Sequence, residues 1–250
     1  MQARLCDTFK TLASIEVKSF RPITDTLYLT FDIDWACDEV LADTIDLVEE
    51  ADVCATWFVT HDTPLLKRLR GNPKFELGIH PNFNNILAGR PDPNNGKNAE
   101  ETVENLLSLV PEAKSVRSHS MTQSSVLLQL FLDKGLTHDC NHFIPHQAGM
   151  ELRPWYLWNG LIKVPYFWED DASVIYGENL AEIAELTQRK GLKVFDFHPI
   201  HVFLNTERME RYEESRPYHR SPKDLLRFRN NETPGARTAL KKLLGVKTSH

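Results

Sequence analysis

Leu27-Tyr-Leu-Thr-Phe-Asp-Ile-Asp-Trp35 is the stretch from which the rest of this chain can be read. Its first five residues are almost continuously apolar and β-favouring, as in a strand buried on both faces. The strand then runs into two carboxylates, Asp32 and Asp34, one residue apart. Residues i and i+2 of a strand point to one side, so both can face one site. Carboxylates this close resist joint ionisation unless a cation or a hydrogen-bond network compensates. The competing reading is a solvated strand end with turn-forming aspartates.

Outward from this stretch the pattern repeats. Residues 38–50 carry an apolar face of Val40, Leu41, Ile45, Leu47 and Val48, which predicts a helix. Residues 53–60 read as a second strand, and Thr63-Pro64 opens a short helix. A third strand over 75–79 ends at His80, before a long Pro-, Asn- and Gly-rich loop over 81–97. Asn98 and Glu101 suit a capping box for a helix to Val110. A brief strand over 114–116 ends at Arg117-Ser-His-Ser120, and a helix over 124–134 stops at Gly135. Strands are expected at 136–140, 161–164 and 192–197, with a helix at 179–190, while 1–26 reads as a short helix and lead-in loop.

Strand and helix in alternation imply an α/β fold with a parallel sheet and outer helices. Six or seven strands suit a (β/α) barrel, complete or distorted, whose active site lies at the C-terminal strand ends. Asp32, Asp34, His80, Arg117, Asp170, Asp171 and His198 all fall at such ends. The whole chain is expected to form one domain, with its core at 25–205 and a helical extension over 205–250.

Asp34, His80 and a third donor would make an open divalent-metal site. Asn84, four residues after His80, is the expected third ligand, and its amide oxygen tilts preference toward harder ions such as Mn²⁺ or Mg²⁺. Its alternative is a plain loop-former beside Asn82 and Asn85. Asp32 would take a proton from water, braced by Arg117, and His198 would give one to the leaving amine. Asp170 or Asp171 would orient His198 or Arg117. Taken singly, His198 could be a core histidine and Arg117 a structural ion pair. His119, His142, His146 and His201 read mostly as supporting or surface residues. Trp35, Trp155, Trp158, Tyr166 and Trp168 suit either a sugar-binding floor or plain core.

Composition narrows the class. The 250 residues are 41% apolar and 26% charged, with net charge −6. That balance argues against nucleic acid as a partner. No run of apolar residues is long enough for a membrane span. The first residues lack the pattern of an export signal, so the cytoplasm is the expected compartment. Cys6, Cys37, Cys54 and Cys140 lie far apart and suit buried thiols in a reducing compartment.

The order Thr30-Phe-Asp32-Ile-Asp34, Glu76-Leu-Gly-Ile-His80-Pro-Asn-Phe-Asn84, Arg117-Ser-His-Ser120, Pro165-Tyr-Phe-Trp-Glu-Asp-Asp171 and Phe195-Asp-Phe-His198-Pro199 resembles the polysaccharide deacetylases, the fourth family of carbohydrate esterases. It is similar in particular to the deacetylases of bacterial O-antigen and surface-polysaccharide clusters. The resemblance implies a distorted barrel of about seven strands. It also implies a metal-dependent N-deacetylase, with Asp32 as base, Arg117 as its brace and His198 as acid. Asp34, His80 and Asn84 would hold Zn²⁺, with Mn²⁺, Co²⁺ or Mg²⁺ as alternatives. Trp168, Asp170, Asp171 and His119 would meet the substrate, an N-acetylated amino sugar, free or nucleotide- or lipid-linked. The chain departs from the family pattern where Ile33 separates the two aspartates, Asn84 replaces the second metal histidine and His119 replaces a proline. Another C–N amide hydrolase and a non-catalytic sugar-binding barrel are the rival expectations.

Overall fold

The computed structural model describes residues 8–22, 25–90 and 96–245. Its elements in chain order begin with β1 (Phe9–Lys10), β2 (Leu27–Asp32), α1 (Asp38–Ala51), β3 (Ala55–Val59), α2 (Leu65–Gly71) and β4 (Phe75–Ile79). They continue with α3 (Asn84–Leu87), α4 (Ala99–Leu109), β5 (Ser115–Val116), α5 (Ser125–Asp133), β6 (His138–Phe143) and β7 (Trp155–Tyr156). Then come β8 (Ile162–Tyr166), β9 (Trp168–Glu169), α6 (Asp170–Ile175), β10 (Val194–Phe197), α7 (Pro199–Leu204), α8 (Met209–Ser215) and α9 (Ala236–Leu243).

Among the described residues one sheet holds all ten strands, in the order β7-β8-β6-β5-β4-β3-β2-β10-β9, with β1 paired to β2. Every pairing is parallel except that of β7 with β8. β8 and β9 are separated by Phe167 alone, so residues 162–169 supply both ends of the path from β6 round to β10. The sheet is therefore a distorted (β/α) barrel. All six residues of β2 are buried, as expected of a strand with neighbours on both edges and layers on both faces. Phe31 stacks on Trp57 at 4.2 Å, and Phe197 lies 6.1 Å from Phe31. Gly78 in β4 is forced, because a Cβ there would stand 2.8 Å from both the Phe58 ring and the Ser115 carbonyl.

The helices follow their sequence signals. α1 has Asp38 and Glu39 in its first turn, where the helix dipole favours them, and buries Val40, Leu41, Ile45 and Val48. Asn98 caps α4 by accepting from Glu101 N–H at 2.9 Å, and the Glu101 carboxylate reaches back to Lys97 N–H. Ser124 caps α5 by accepting from Leu127 N–H. α9 lies against α7 and buries Ala236, Ala239, Leu240 and Leu243.

Some elements differ from expectation. Within 1–26, the described part contains β1 and a single turn over Leu12–Ser14 in place of a helix. The rest of the expected helix, with Cys6, lies outside the described residues. That turn closes the N-terminal end of the barrel: Leu12 N–H donates to Thr56 Oγ1 at 3.0 Å, and Ala13 N–H to the Glu76 carboxylate at 2.9 Å. The helix expected over 179–190 breaks into a 3₁₀ turn, Leu180–Glu182, and one α-turn, Ile183–Leu186. Leu180, Ile183 and Leu186 recur every third residue, a spacing that aligns on a 3₁₀ turn rather than an α-helix. Cys37 and Cys54 are only partly buried, and Cys140 is buried. Among the described residues no helix is long and apolar enough to cross a membrane.

Candidate active site

Asp32 is the last residue of β2 and is buried. The chain then leaves the sheet through a tight bend in which Asp34 (φ 38°) and Trp35 (φ 54°) adopt left-handed backbone. Such conformations are costly outside glycine and persist only where surroundings enforce them. Here Ile33 N–H donates to Phe58 O at 3.2 Å, and Trp35 N–H to Thr60 Oγ1 at 3.1 Å. The bend carries the Asp34 carboxylate over the end of β4. There Asp34 Oδ1 lies 3.3 Å from His80 Nε2 and 3.3 Å from His119 Nδ1. The two ring nitrogens are 3.4 Å apart.

These separations decide what the cluster can hold. Ligands at about 2.0–2.1 Å from a tetrahedral ion stand about 3.3 Å from one another. Asp34 Oδ1 is also buried without a hydrogen-bond partner. One carboxylate and two imidazoles form an N₂O set suited to zinc, and the cavity beside them leaves a further position open. The residues present therefore fit a divalent ion. Burial alone would raise the Asp34 pKa, but the imidazoles of His119 and His80 more than offset this and hold it well below the carboxylate range. His80 is raised despite its burial, because Asp32 and Asp34 face it.

Asn84, the expected third ligand, lies elsewhere. It opens α3, is exposed and does not line the cavity, and its amide donates to Ser120 Oγ at 3.0 Å. His119, expected to meet substrate, takes the third place in the cluster. It rides on a turn after β5 in which Ser120 (φ 57°) and Met121 (φ 53°) are both left-handed. His119 N–H donates to Pro81 O at 2.9 Å, which docks this turn against the end of β4.

On one side of the triangle stands Asp32. Arg117 Nη1 reaches its Oδ1 at 3.0 Å and also pairs with the buried Asp196. The guanidinium lies between the rings of Phe58 (4.6 Å) and Tyr166 (4.4 Å). Thr30 Oγ1 donates to Asp196 at 2.6 Å. Burial pushes the Asp32 carboxyl up, Arg117 pulls it down, and the balance lies at about 6.

On the other side stands His198, at the N-terminus of α7. Its Nδ1 lies 2.8 Å from Asp170 Oδ1, and its own backbone N–H donates to Asp170 Oδ2 at 2.9 Å. This fixes the ring, so Nε2 faces the site, 3.8 Å from Asp34 Oδ2 and 3.9 Å from Glu169 Oε1. Burial would lower the His198 pKa, but Asp170, with Asp171 and Asp34, raises it well above its ordinary value.

The three groups line one cavity of about 320 Å³, with Tyr166, Glu169 and Asp171 in its wall. Met121, Ile175 and Tyr176, all exposed, also line it. Trp168, expected at the substrate, is buried core instead, 4.8 Å from the Phe197 ring, because its short strand turns it toward β10. Asp170 does not line the cavity and serves His198. Trp155 and Trp158 are exposed and stand outside the cavity wall, while the Trp35 ring meets His119 edge-on at 5.1 Å. His146 pairs with Glu178, and His201 with Thr206. Sequence reasoning missed Asp196 and Glu169. The signal for Asp196 was a charge placed between Phe195 and Phe197 in an otherwise apolar strand.

With this geometry in hand, comparisons with known proteins bear on the site. The model of the WbmS-like polysaccharide deacetylase family matches residues 29–216. A crystal structure from Bordetella bronchiseptica is 45% identical, covers 97% of this chain and 99% of its own, and superposes with a TM-score of 0.86. That protein is provisionally named a polysaccharide deacetylase involved in O-antigen biosynthesis. A 4-α-glucanotransferase from Thermococcus litoralis matches at 13% identity over 69% of this chain and 32% of its own, with a TM-score of 0.43, too distant to bear on function. No curated protein sequence matches the chain.

Proposed function

This chain belongs to the WbmS-like polysaccharide deacetylase family, and from that premise we propose that it is a metal-dependent hydrolase that removes the N-acetyl group from an amino sugar in surface-polysaccharide synthesis. The observation that carries the reading is the triangle of Asp34 Oδ1, His80 Nε2 and His119 Nδ1, with sides of 3.3, 3.3 and 3.4 Å. It opens on a cavity flanked by one group suited to accept a proton and one suited to give it. The similar Bordetella protein, named for O-antigen biosynthesis, supports the substrate class.

When bound by Asp34, His80 and His119, a divalent ion would lower the pKa of a water and polarise the acyl carbonyl. Zinc suits the N₂O set best, with Co²⁺ next. Asp32 takes the proton from the attacking water. Burial raises the Asp32 carboxyl above the ordinary carboxylate range against the pull of Arg117, which makes it a stronger base than a free aspartate. Arg117 holds that carboxylate in place by its 3.0 Å bond. His198 delivers the proton from Nε2 to the departing nitrogen as the C–N bond breaks, leaving acetate and a free amine. Asp170 keeps that proton on Nε2 and stabilises the imidazolium. The cytoplasm is the proposed compartment, supported by the free thiols of Cys37 and Cys140.

The test is direct. Chelator-stripped protein is reloaded with Zn²⁺, Co²⁺, Mn²⁺ or Mg²⁺ and given N-acetylhexosamines in free, nucleotide-linked and lipid-linked form. Mass spectrometry should find loss of one acetyl group from at least one of them with zinc or cobalt, and none after chelation. No turnover on any substrate with any metal would overturn the reading.

A further inference from the structure

His119 is an unusual place for a ligand. It sits on a partly exposed turn rather than a strand end, and the two residues after it hold left-handed backbone. Something must hold that turn, because a metal site is only as tight as the shell that fixes its ligands.

The buried polar residues behind it do so. Lys163 in β8 and Asp139 in β6 form an ion pair inside the barrel, with side chains 3% and 0% exposed. Asp139 Oδ1 accepts from Asn141 Nδ2, which leaves Asn141 Oδ1 facing the other way. That oxygen accepts from Ser118 N–H at 2.6 Å, one residue before His119. Lys163 Nζ also donates to Gln123 Oε1 at 2.6 Å, four residues after His119. The Gln123 amide donates to Asn141 O at 3.3 Å. The turn is thus gripped at both ends by one network. β6 has an irregularity in its register with β8 between Asp139 and His142, where Cys140 O and the Asn141 side chain come to face the 117–118 backbone and side chains.

A buried Lys–Asp pair is weak evidence for stability, since its desolvation offsets much of its attraction. Its retention here has another account. We infer that Lys163, Asp139 and Asn141 are positioning residues for the metal: they fix Ser118 N–H and Gln123 so that His119 Nδ1 completes the triangle with Asp34 and His80. The exposed Asn84 holds the same turn through Ser120. This inference rests on the metal reading above.

The experiment is zinc titration by calorimetry of chelator-stripped wild type, Asn141→Ala, His119→Ala and the double variant, with thermal melts of each in the metal-free state. Loss of an outer partner of a metal ligand weakens affinity by about 10–100-fold, and that is the loss expected for Asn141→Ala. In the His119→Ala background the same change should cost nothing further, because its effect runs through His119. A general loosening of the fold would weaken binding equally in both backgrounds. Wild-type affinity in Asn141→Ala, or losses that add, would overturn the inference while leaving the metal reading intact. No zinc binding to wild type would overturn the metal reading and this inference with it. If Asn141→Ala fails to melt cooperatively, Asn84→Ala carries the test from the exposed side: a several-fold loss that vanishes in the His119→Ala background supports the clamp, and unchanged affinity overturns it.

Discussion

The two ends of the barrel are built from the same strands and treat their polar groups in opposite ways. At the N-terminal end, Glu76 of β4 accepts from Thr56 Oγ1, Ser115 Oγ and Ala13 N–H. His138 of β6 lies 3.0 Å from Ile15 O. At the C-terminal end, Asp34 Oδ1, His80 Nδ1, Arg117 Nη2 and Ser118 Oγ are all buried without a hydrogen-bond partner, and all four residues line the cavity. Unmatched buried polar atoms cost about 1–3 kcal/mol each. A fold accepts that cost where the atoms have work to do on something that binds. β4 shows the contrast within one strand: Glu76 near its start is satisfied and His80 beyond its end is not.

The comparison breaks most sharply at Asp32. Asp32→Asn should lower turnover by about 10²–10⁴-fold while zinc binding, read by calorimetry, stays near wild type. Loss of zinc together with turnover would mean that Asp32 is a ligand and not a base. The same variant has a stability signature. Because the folded pKa of Asp32 is raised to about 6, the native state keeps its proton longer than the unfolded chain. Metal-free wild type should therefore lose up to about 3 kcal/mol as pH rises through about 4 to 6, and Asp32→Asn should lack that component. Urea melts across this range measure it.

Next in size is the choice of third ligand. His119→Ala should weaken zinc binding by more than about 100-fold, beyond the range set by outer partners. Asn84→Ala should change it only several-fold. The reverse ranking would restore Asn84 as the ligand.

Asp170→Asn should shift the pH profile rather than remove activity. Without the Asp170 charge, burial dominates at His198 and its pKa falls. The protonated acid is then lost earlier, and the alkaline limb of kcat/KM moves to lower pH. An unmoved limb would assign the leaving-group proton to another residue.

The smallest effect lies at the closed end. Glu76→Gln should cost about 1–3 kcal/mol of stability, seen as a lower Tm, with kcat/KM unchanged. A change in turnover there would erase the distinction between the two ends.

Much of this was legible in the chain itself. The alternation of apolar strands with helical segments implied the barrel, and polar residues after successive strands marked Asp32, Asp34, His80, Arg117 and His198. What escaped depended on backbone direction. The reach of His119 into the cluster requires left-handed residues at Ser120 and Met121, which are neither Gly nor Asn and so give no warning. Trp168 and Asp170 stand two residues apart, yet Trp168 faces core and Asp170 meets His198, because a two-residue strand too short to show a period gives way to α6 between them. Asn84 matched the family's spacing in sequence, but α3 begins at that residue and turns its side chain toward Ser120.

The barrel's closure also governs how the molecule is made. β10 inserts between β2 and β9, and its partner in register, β2, was synthesised some 165 residues earlier. Until β10 leaves the ribosome, β2 has an open edge able to pair with the wrong strand. Contacts of such long sequence separation are slow to form. Asp196 and His198 arrive with that same strand, so Arg117 gains its second carboxylate and the cavity its His198 wall only as the ring shuts. Asp34, His80 and His119 all precede β10 in the chain, so every member of that cluster is made before the strand that closes the ring.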